Sequence, residues 1–168
     1  MNKSETAYSI SDIYNFLSSG SIDIEKSIME VDYIAKVNYN KELLFDKTYS
    51  IILFIPSPHY NENLSPDSEQ NIGHFTLLSL LDEKTVEFFD SLAGEIPEIV
   101  KDFALHNNLS IKSLKNPLQS KKSYICAKYC ISRMQSLPLS LKNYEDLLRN
   151  HKVLSPDEII HFLYKNKK

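Results

Sequence analysis

Four side chains with the functional groups of a cysteine hydrolase occur along this 168-residue chain in the order His74, Asp90, Gln119 and Cys126. They supply an imidazole, a carboxylate, a primary amide and a thiol. A cysteine hydrolase needs a nucleophilic thiolate, a base, a group that orients the base and a donor to the oxyanion. Because the four residues are far apart in the chain, this chemistry requires a fold that brings them together.

The segment around Cys126 predicts a helix that begins close to this residue. With Ser123 as the capping residue, Cys126 occupies the third helical position, where the backbone N–H has no partner within the helix. The positive end of the helix dipole there favours a thiolate over a thiol. A buried structural cysteine is the alternative, since this is the usual state of a free Cys. Cys130, one turn later on the apolar face, is predicted to be a core residue.

A predicted β-hairpin joins the imidazole and the carboxylate. His74 opens a predicted strand over residues 74–81, and Asp90 closes the next predicted strand over residues 85–90. In an antiparallel pair, the start of one strand lies opposite the end of the other. We therefore expect the two side chains to lie side by side, with Asp90 orienting the ring as the third group of a triad.

Each of these residues also has a purely structural interpretation. His74 could be a partly buried histidine with satisfied hydrogen bonds, and Asp90 could cap the turn over residues 91–94. Gln119, in the loop before the Cys126 helix, could simply be solvated. The remaining histidines compete for the role of the base: His59, His106, His151 and His161.

Hydrophobic periodicity and capping signals predict the elements that carry these residues. The apolar run over residues 49–55 predicts a strand buried on both faces, followed by an exposed loop over residues 56–71. Helices are expected at 11–20, 21–37, 96–107, 123–137, 140–150 and 156–166, with a possible short strand at 110–114. The expected fold class is α+β: a small, mostly antiparallel central sheet flanked by helices, in a single domain over residues 1–168.

Composition limits the classes of partner and compartment. A net charge of -3 argues against broad, sequence-independent nucleic-acid binding. A local basic patch at Lys112, Lys115, Lys121 and Lys122 is an alternative to a solvated rim. The two cysteines form no disulfide framework and are too few for a zinc site without other ligands, which favours a reducing compartment. Neither a membrane-spanning stretch nor the apolar core of a signal peptide is expected.

The motifs resemble those of the adenain-type viral cysteine proteases and, more distantly, the ubiquitin-like-protein-specific proteases. That family has His, then Asp or Glu after a hairpin, then Gln, then Cys at a helix start. The matching pieces are Gly73-His74-Phe75, Phe89-Asp90-Ser91-Leu92, and Gln119 followed by Ser123, Cys126 and Cys130. The resemblance spans roughly residues 45–135. Two positions depart from the family: Phe75 replaces a usual Trp, and Ala127 replaces a usual Gly.

The resemblance implies a papain-like architecture with rearranged chain order and a catalytic set of Cys126, His74, Asp90 and Gln119. It implies an endopeptidase that cleaves viral structural precursors after small residues during virion maturation. Such an enzyme is expected to be a monomer without a cofactor, with a possible activating peptide, in the virion or the host cytoplasm or nucleus. Two alternatives are a deubiquitinase or SUMO-type protease acting on host proteins, and an inactive binding module, which Ala127 favours.

Overall fold

A five-stranded sheet in the order β1-β2-β3-β4-β5 forms the centre of the computed structural model. The structure describes residues 28–46, 48–56, 73–120 and 125–164. The strands are β1 (Ile28–Glu30), β2 (Ser50–Ile55), β3 (His74–Leu80), β4 (Thr85–Phe89) and β5 (Ser110–Ser113). The helices are α1 (Tyr33–Lys36), α2 (Lys41–Leu44), α3 (Glu98–His106), α4 (Cys126–Ser136), α5 (Leu141–Arg149) and α6 (Pro156–Tyr164). No helix within these described ranges is long and apolar enough to cross a membrane.

The sheet is antiparallel at its centre and parallel at both edges. β3 pairs antiparallel with β2 and with β4, as the predicted hairpin requires. β1 pairs parallel with β2, and β5 pairs parallel with β4. The expectation of a mostly antiparallel sheet was therefore wrong for its edges. Helices connect each parallel pair, α1 and α2 between β1 and β2 and α3 between β4 and β5, and such crossovers reverse the chain so that the strands run alike.

Apolar side chains fill both faces of the sheet. Along β2, Ile52 and Phe54 enter the core beneath α4, α5 and α6, whereas Ile51 and Leu53 enter the core beneath α1, α2 and α3. This alternation follows from the two-residue period of a strand. The prediction that this run forms a strand buried on both faces is confirmed.

Residues 21–37 differ most from the expected pattern, because a helix was predicted there. Within the described part of this range, residues 28–30 instead form β1, which pairs with Ile52, Leu53 and Phe54 of β2, and the helix covers residues 33–36. Pairing with a buried neighbouring strand outweighed the local helical preference. The predicted helix at 11–20 lies outside the described residues, as does most of the predicted loop at 56–71.

Candidate active site

The β3–β4 hairpin brings His74 and Asp90 into contact. Leu77 lies opposite Phe89, so the register continued by one residue places Asp90 opposite Thr76, diagonal to His74 on the same face. His74 Nε2 lies 2.7 Å from Asp90 Oδ1, the distance of a strong hydrogen bond to a carboxylate. The side chains are 27% and 9% exposed. The expected side-by-side placement is confirmed.

The turn after β4 wraps around the Asp90 carboxylate. Leu92 N donates to Oδ1 at 2.9 Å, and Gly94 N donates to Oδ2 at 3.1 Å. A Cβ atom on Gly94 would lie 3.0 Å from Oδ2, so the turn closes tightly because this residue has no side chain. Asp90 thus both caps its turn and orients His74. Burial raises the pKa of Asp90, but the hydrogen bond from His74 and the two backbone donors outweigh it and lower that pKa below its usual range.

Tight packing holds the start of β3, where His74 lies. A Cβ atom on Gly73 would collide with the carbonyl oxygen of Ile55 and the ring of Phe54, so only glycine fits there. The fully buried ring of Phe75 packs tilted on Phe54, with ring centroids 5.0 Å apart. An aromatic residue in the position after the histidine therefore anchors the strand within the core.

Cys126 is the first residue of α4, not the third as expected. The first helical hydrogen bond runs from Tyr129 N to Ile125 O at 3.1 Å, which makes Ile125 the capping residue. The predicted cap Ser123 lies outside the described residues. At the first helical position the N–H of Cys126 still has no partner within the helix, so it remains a candidate donor to an oxyanion. α4 packs against β3, which carries His74.

The His74 ring interacts with both the Asp90 carboxylate and the Cys126 thiol. Burial alone would lower the pKa of His74. Hydrogen bonds to Asp90 and to Cys126, with the attraction of their negative charges, outweigh burial and raise it from 6.5 to about 10. Because Asp90 occupies Nε2, the ring nitrogen left for the Cys126 sulfur is Nδ1. His74 therefore interacts with both Asp90 and Cys126, which suits proton transfer between sulfur and ring.

The raised pKa of His74 predicts a pH dependence of folding stability. A group whose pKa is higher in the folded state stabilises the fold fully at pH values below its pKa in the unfolded state, here 6.5. This stability is lost as the pH rises to about 10, the pKa in the folded state. We expect the free energy of unfolding of the wild type to exceed that of His74→Gln most near pH 6 and least near pH 10. Urea unfolding at several pH values measures this difference. It should shrink in a Cys126→Ser background, and a pH-independent difference would contradict the assignment.

Gln119 is buried and bonded to Ser91, the neighbour of Asp90 in the chain. The Ser91 hydroxyl donates to Gln119 Oε1 at 2.5 Å. The Ser91 carbonyl also accepts from the backbone N–H groups of Leu118 and Gln119, at 2.8 and 3.0 Å. The amide oxygen is thereby engaged, so the end of the side chain that can serve an oxyanion is its nitrogen.

Side chains of two helices hold the loop that carries Gln119 through hydrogen bonds. Arg149 of α5 donates from Nη2 to the carbonyls of Asn116 and Pro117, at 2.9 and 3.1 Å. Asp157 of α6 accepts from Ser120 N at 3.1 Å and from the Tyr129 hydroxyl at 2.6 Å. Since Tyr129 belongs to α4, Asp157 links this loop to the helix that begins with Cys126. Residues held from several sides in this way lose little freedom when a substrate binds.

Sequence reasoning did not identify Ser91, Arg149 or Asp157 as supports of the site. Their partners are distant in the chain, so no local spacing points to them. Asp157 carries only the signal of an acidic residue in the first turn of a helix, which is common for reasons of helix polarity.

Two of the described histidines that compete for the role of the base have other contacts. His151 Nδ1 accepts from Val153 N and Leu154 N, and the His106 ring lies 6.1 Å from that of Tyr39. Burial raises the pKa of the fully buried Cys130 well above its usual value, which keeps it a thiol in the core as predicted. His59 lies outside the described residues. In the part of the chain that the structure describes, no three His, Cys, Asp or Glu side chains group as a metal would require.

Comparisons with known proteins find similarity in structure but not in sequence. No protein-family model and no curated protein matches the chain. The central domain of the uncharacterized Lpg1148 protein from Legionella pneumophila has a TM-score of 0.40 at 13% identity, over 83% of this chain and 84% of that one. The SUMO protease Ulp1, with its catalytic cysteine oxidized to a sulfinic acid, has a TM-score of 0.38 at 13% identity, over 99% of this chain and 87% of that one. At these levels of similarity, the assignment of the site rests on its own geometry.

Proposed function

We propose that this chain is a cysteine endopeptidase with Cys126 as nucleophile, His74 as general base and acid, and Asp90 as the group that orients the ring. One observation carries the proposal: a single imidazole bonds the Asp90 carboxylate at 2.7 Å and has its pKa raised by both Asp90 and Cys126, the first residue of a helix. A structural histidine needs one satisfied partner, whereas a relay needs an acceptor on one nitrogen and a nucleophile on the other.

The first half of the reaction forms an acyl-enzyme. The Cys126 sulfur attacks the scissile carbonyl carbon, while His74 holds the proton that left the thiol. The tetrahedral oxyanion accepts hydrogen bonds from the Cys126 backbone N–H and from the Gln119 amide nitrogen. When the C–N bond breaks, His74 passes its proton to the leaving amine, and a thioester remains on Cys126.

The second half releases the product. Water attacks the thioester carbon, and His74 accepts a proton from this water. The C–S bond breaks, the carboxylic acid leaves, and the proton returns to the Cys126 sulfur. Asp90 keeps the ring aligned in both halves and stabilises the imidazolium; the carboxylate itself does not take the proton.

The proposed substrates are viral structural precursor proteins. This choice rests on the spacing of Gln119, Ser123, Cys126 and Cys130, which resembles that of the adenain-type proteases. A ubiquitin-like protein of the host is the alternative substrate within the same chemistry. The two differ in what must enter the site, an internal peptide segment or a flexible carboxyl-terminal tail.

The binding-module alternative depends on Ala127, where the family usually has glycine. Ala127 is 1% exposed and belongs to the core cluster that α4 forms against the sheet. Its methyl group therefore packs among apolar side chains and does not line an open cleft. This placement supports an active enzyme over the binding module.

Cleavage of a peptide library tests the proposal directly. We expect the protein to cut internal bonds in peptides from a proteome digest, seen as new amino termini by mass spectrometry. Pretreatment with iodoacetamide should abolish the cuts, because the alkylated sulfur cannot attack. Ubiquitin and SUMO substrates carrying a carboxyl-terminal fluorophore are assayed in parallel. Release of the fluorophore from these substrates, without cleavage of the peptide library, would favour the host-directed alternative. If neither the peptides nor these substrates are cleaved and Cys126 is not alkylated at pH 7, the binding module is favoured.

A further inference from the structure

Ser91 contacts the proposed oxyanion donor through both its side chain and its main chain. We infer that Ser91 is a positioning residue that orients the Gln119 amide with its nitrogen, not its oxygen, toward the reaction centre; this inference rests on the function proposed above. The contact is the 2.5 Å hydrogen bond from the Ser91 hydroxyl to Gln119 Oε1. Both residues are buried, at 0% and 4% exposure.

Orientation matters because the two ends of an amide have opposite electrostatic effects. The nitrogen of Gln119 donates hydrogen bonds and stabilises a developing oxyanion, whereas the oxygen would repel it. Rotation of the terminal side-chain torsion by half a turn exchanges these ends at little steric cost, since that torsion is broad and roughly two-fold. A glutamine at this position therefore serves the reaction only if a neighbour distinguishes its two ends.

The amide oxygen of Gln119 is the end that faces Ser91, and the length of the bond agrees with this. Hydrogen bonds from a hydroxyl to oxygen span about 2.5–3.0 Å, whereas those from an amide nitrogen to oxygen span about 2.7–3.2 Å. The bond runs from the Ser91 hydroxyl to the amide oxygen, and its length of 2.5 Å lies in the hydroxyl-to-oxygen range. Without this donor, the Gln119 oxygen loses the Ser91 hydrogen bond, and the preference for this orientation of the amide weakens.

The main chain of Ser91 holds the loop independently of the side chain. Its carbonyl oxygen accepts from Leu118 N and Gln119 N, and these bonds persist whatever the side chain at position 91. Removal of the hydroxyl should therefore leave Gln119 in place and change only the orientation of its amide. Since the preceding residue, Asp90, orients His74, this dipeptide would align both the base and the oxyanion donor.

Two reagents separate this role from a general structural one. Iodoacetamide alkylates the Cys126 thiolate by displacing iodide at carbon, and no oxyanion forms. p-Nitrophenyl acetate acylates the same sulfur: an S–C bond forms through a tetrahedral oxyanion, and p-nitrophenolate leaves. We expect Ser91→Ala to slow acylation about tenfold or more, with alkylation unchanged within twofold and its pH profile unshifted.

The matched controls keep or remove a comparable hydroxyl. Ser91→Thr retains the donor and should acylate within a few-fold of the wild type. Ser79→Ala removes another buried hydroxyl, bonded to Ser50 at 2.9 Å at the far end of β3, and should leave acylation unchanged. Equal loss in Ser79→Ala and Ser91→Ala would overturn the inference, because it would indicate a general effect of lost buried hydroxyls.

A double-mutant comparison keeps the test valid even where Ser91→Ala does not fold. Ser91→Ala combined with Gln119→Leu removes both partners of this hydrogen bond, so neither is left unsatisfied by the loss of the other. If Ser91 acts through Gln119, this double variant acylates as fast as Gln119→Leu alone. A slower double variant would show that Ser91 acts otherwise. If the wild type reacts with both reagents and Ser91→Ala reacts equally fast, this inference alone is refuted. If the wild type reacts with neither reagent, the inference and the proposed protease function are both refuted.

Discussion

Replacing Cys126 with serine is expected to reduce peptide-bond hydrolysis by roughly 10⁴-fold or more, the scale seen when a nucleophile is removed from a triad. A serine hydroxyl is far harder to ionise than a thiol, so the same imidazole base activates it much less well as a nucleophile. The rate is measured on a peptide identified in the library experiment, and iodoacetamide labelling is mapped by mass spectrometry. Labelling of Cys126 near pH 7 should also disappear in His74→Ala, which removes the stabilising imidazolium.

Cys130 provides the matched control on the same helix. Its thiol is fully buried and its pKa is raised, so we expect iodoacetamide to leave it unmodified in the folded protein. Cys130→Ala should lower stability modestly through a small cavity and keep hydrolysis within a few-fold of the wild type. Hydrolysis that persists in Cys126→Ser, or that depends on Cys130 instead, would rule out the proposed nucleophile.

Breaking the ion pair between Glu87 and Arg133 is expected to cost about 3–5 kcal/mol of folding stability. Arg133 bonds both carboxylate oxygens of Glu87 at 2.8 Å, and the side chains are 1% and 0% exposed. Arg133→Ala leaves an uncompensated carboxylate in the core, and Glu87→Ala leaves an uncompensated guanidinium. Chemical denaturation with urea measures the free energy of unfolding of each variant. The pair joins β4, which leads to Asp90, to α4, which begins with Cys126.

Two comparisons separate a buried-charge effect from a simple loss of attraction. The double variant Glu87→Leu with Arg133→Met removes both charges and should recover most of the lost stability. Lys142→Ala breaks an exposed pair with Asp146, 3.7 Å apart, and should cost less than about 1 kcal/mol. If the double variant were as unstable as either single one, packing around these side chains, not charge burial, would account for the loss.

The candidate site is built from parts that are held independently of a substrate. The carboxylate of Asp90 accepts two backbone N–H groups in addition to His74, and Gly73 locks the start of β3. Fixed donors and acceptors need no reorganisation during a reaction, which is the main source of electrostatic catalysis. This rigidity supports an active enzyme over a binding module.

Local sequence was sufficient to predict the elements with regular patterns. The apolar run of β2, the hairpin of β3 and β4, and the helices near α3, α5 and α6 were all placed within about two residues. The hairpin also predicted that His74 meets Asp90, because antiparallel pairing relates the two positions through a short turn. The catalytic roles of these residues, and that of Gln119, remain predictions.

Long-range packing decided the rest. β1 forms a strand because β2 offers it a buried edge, and α4 begins at Cys126 because the first helical bond goes to Ile125 O. No spacing in the chain indicated that Ser91 would bond Gln119, or that Arg133 would pair with Glu87 in the core. Short-range patterns reflect backbone geometry, which is the same in every protein. Contacts between distant polar side chains depend on how the elements stack, and only the folded chain determines this.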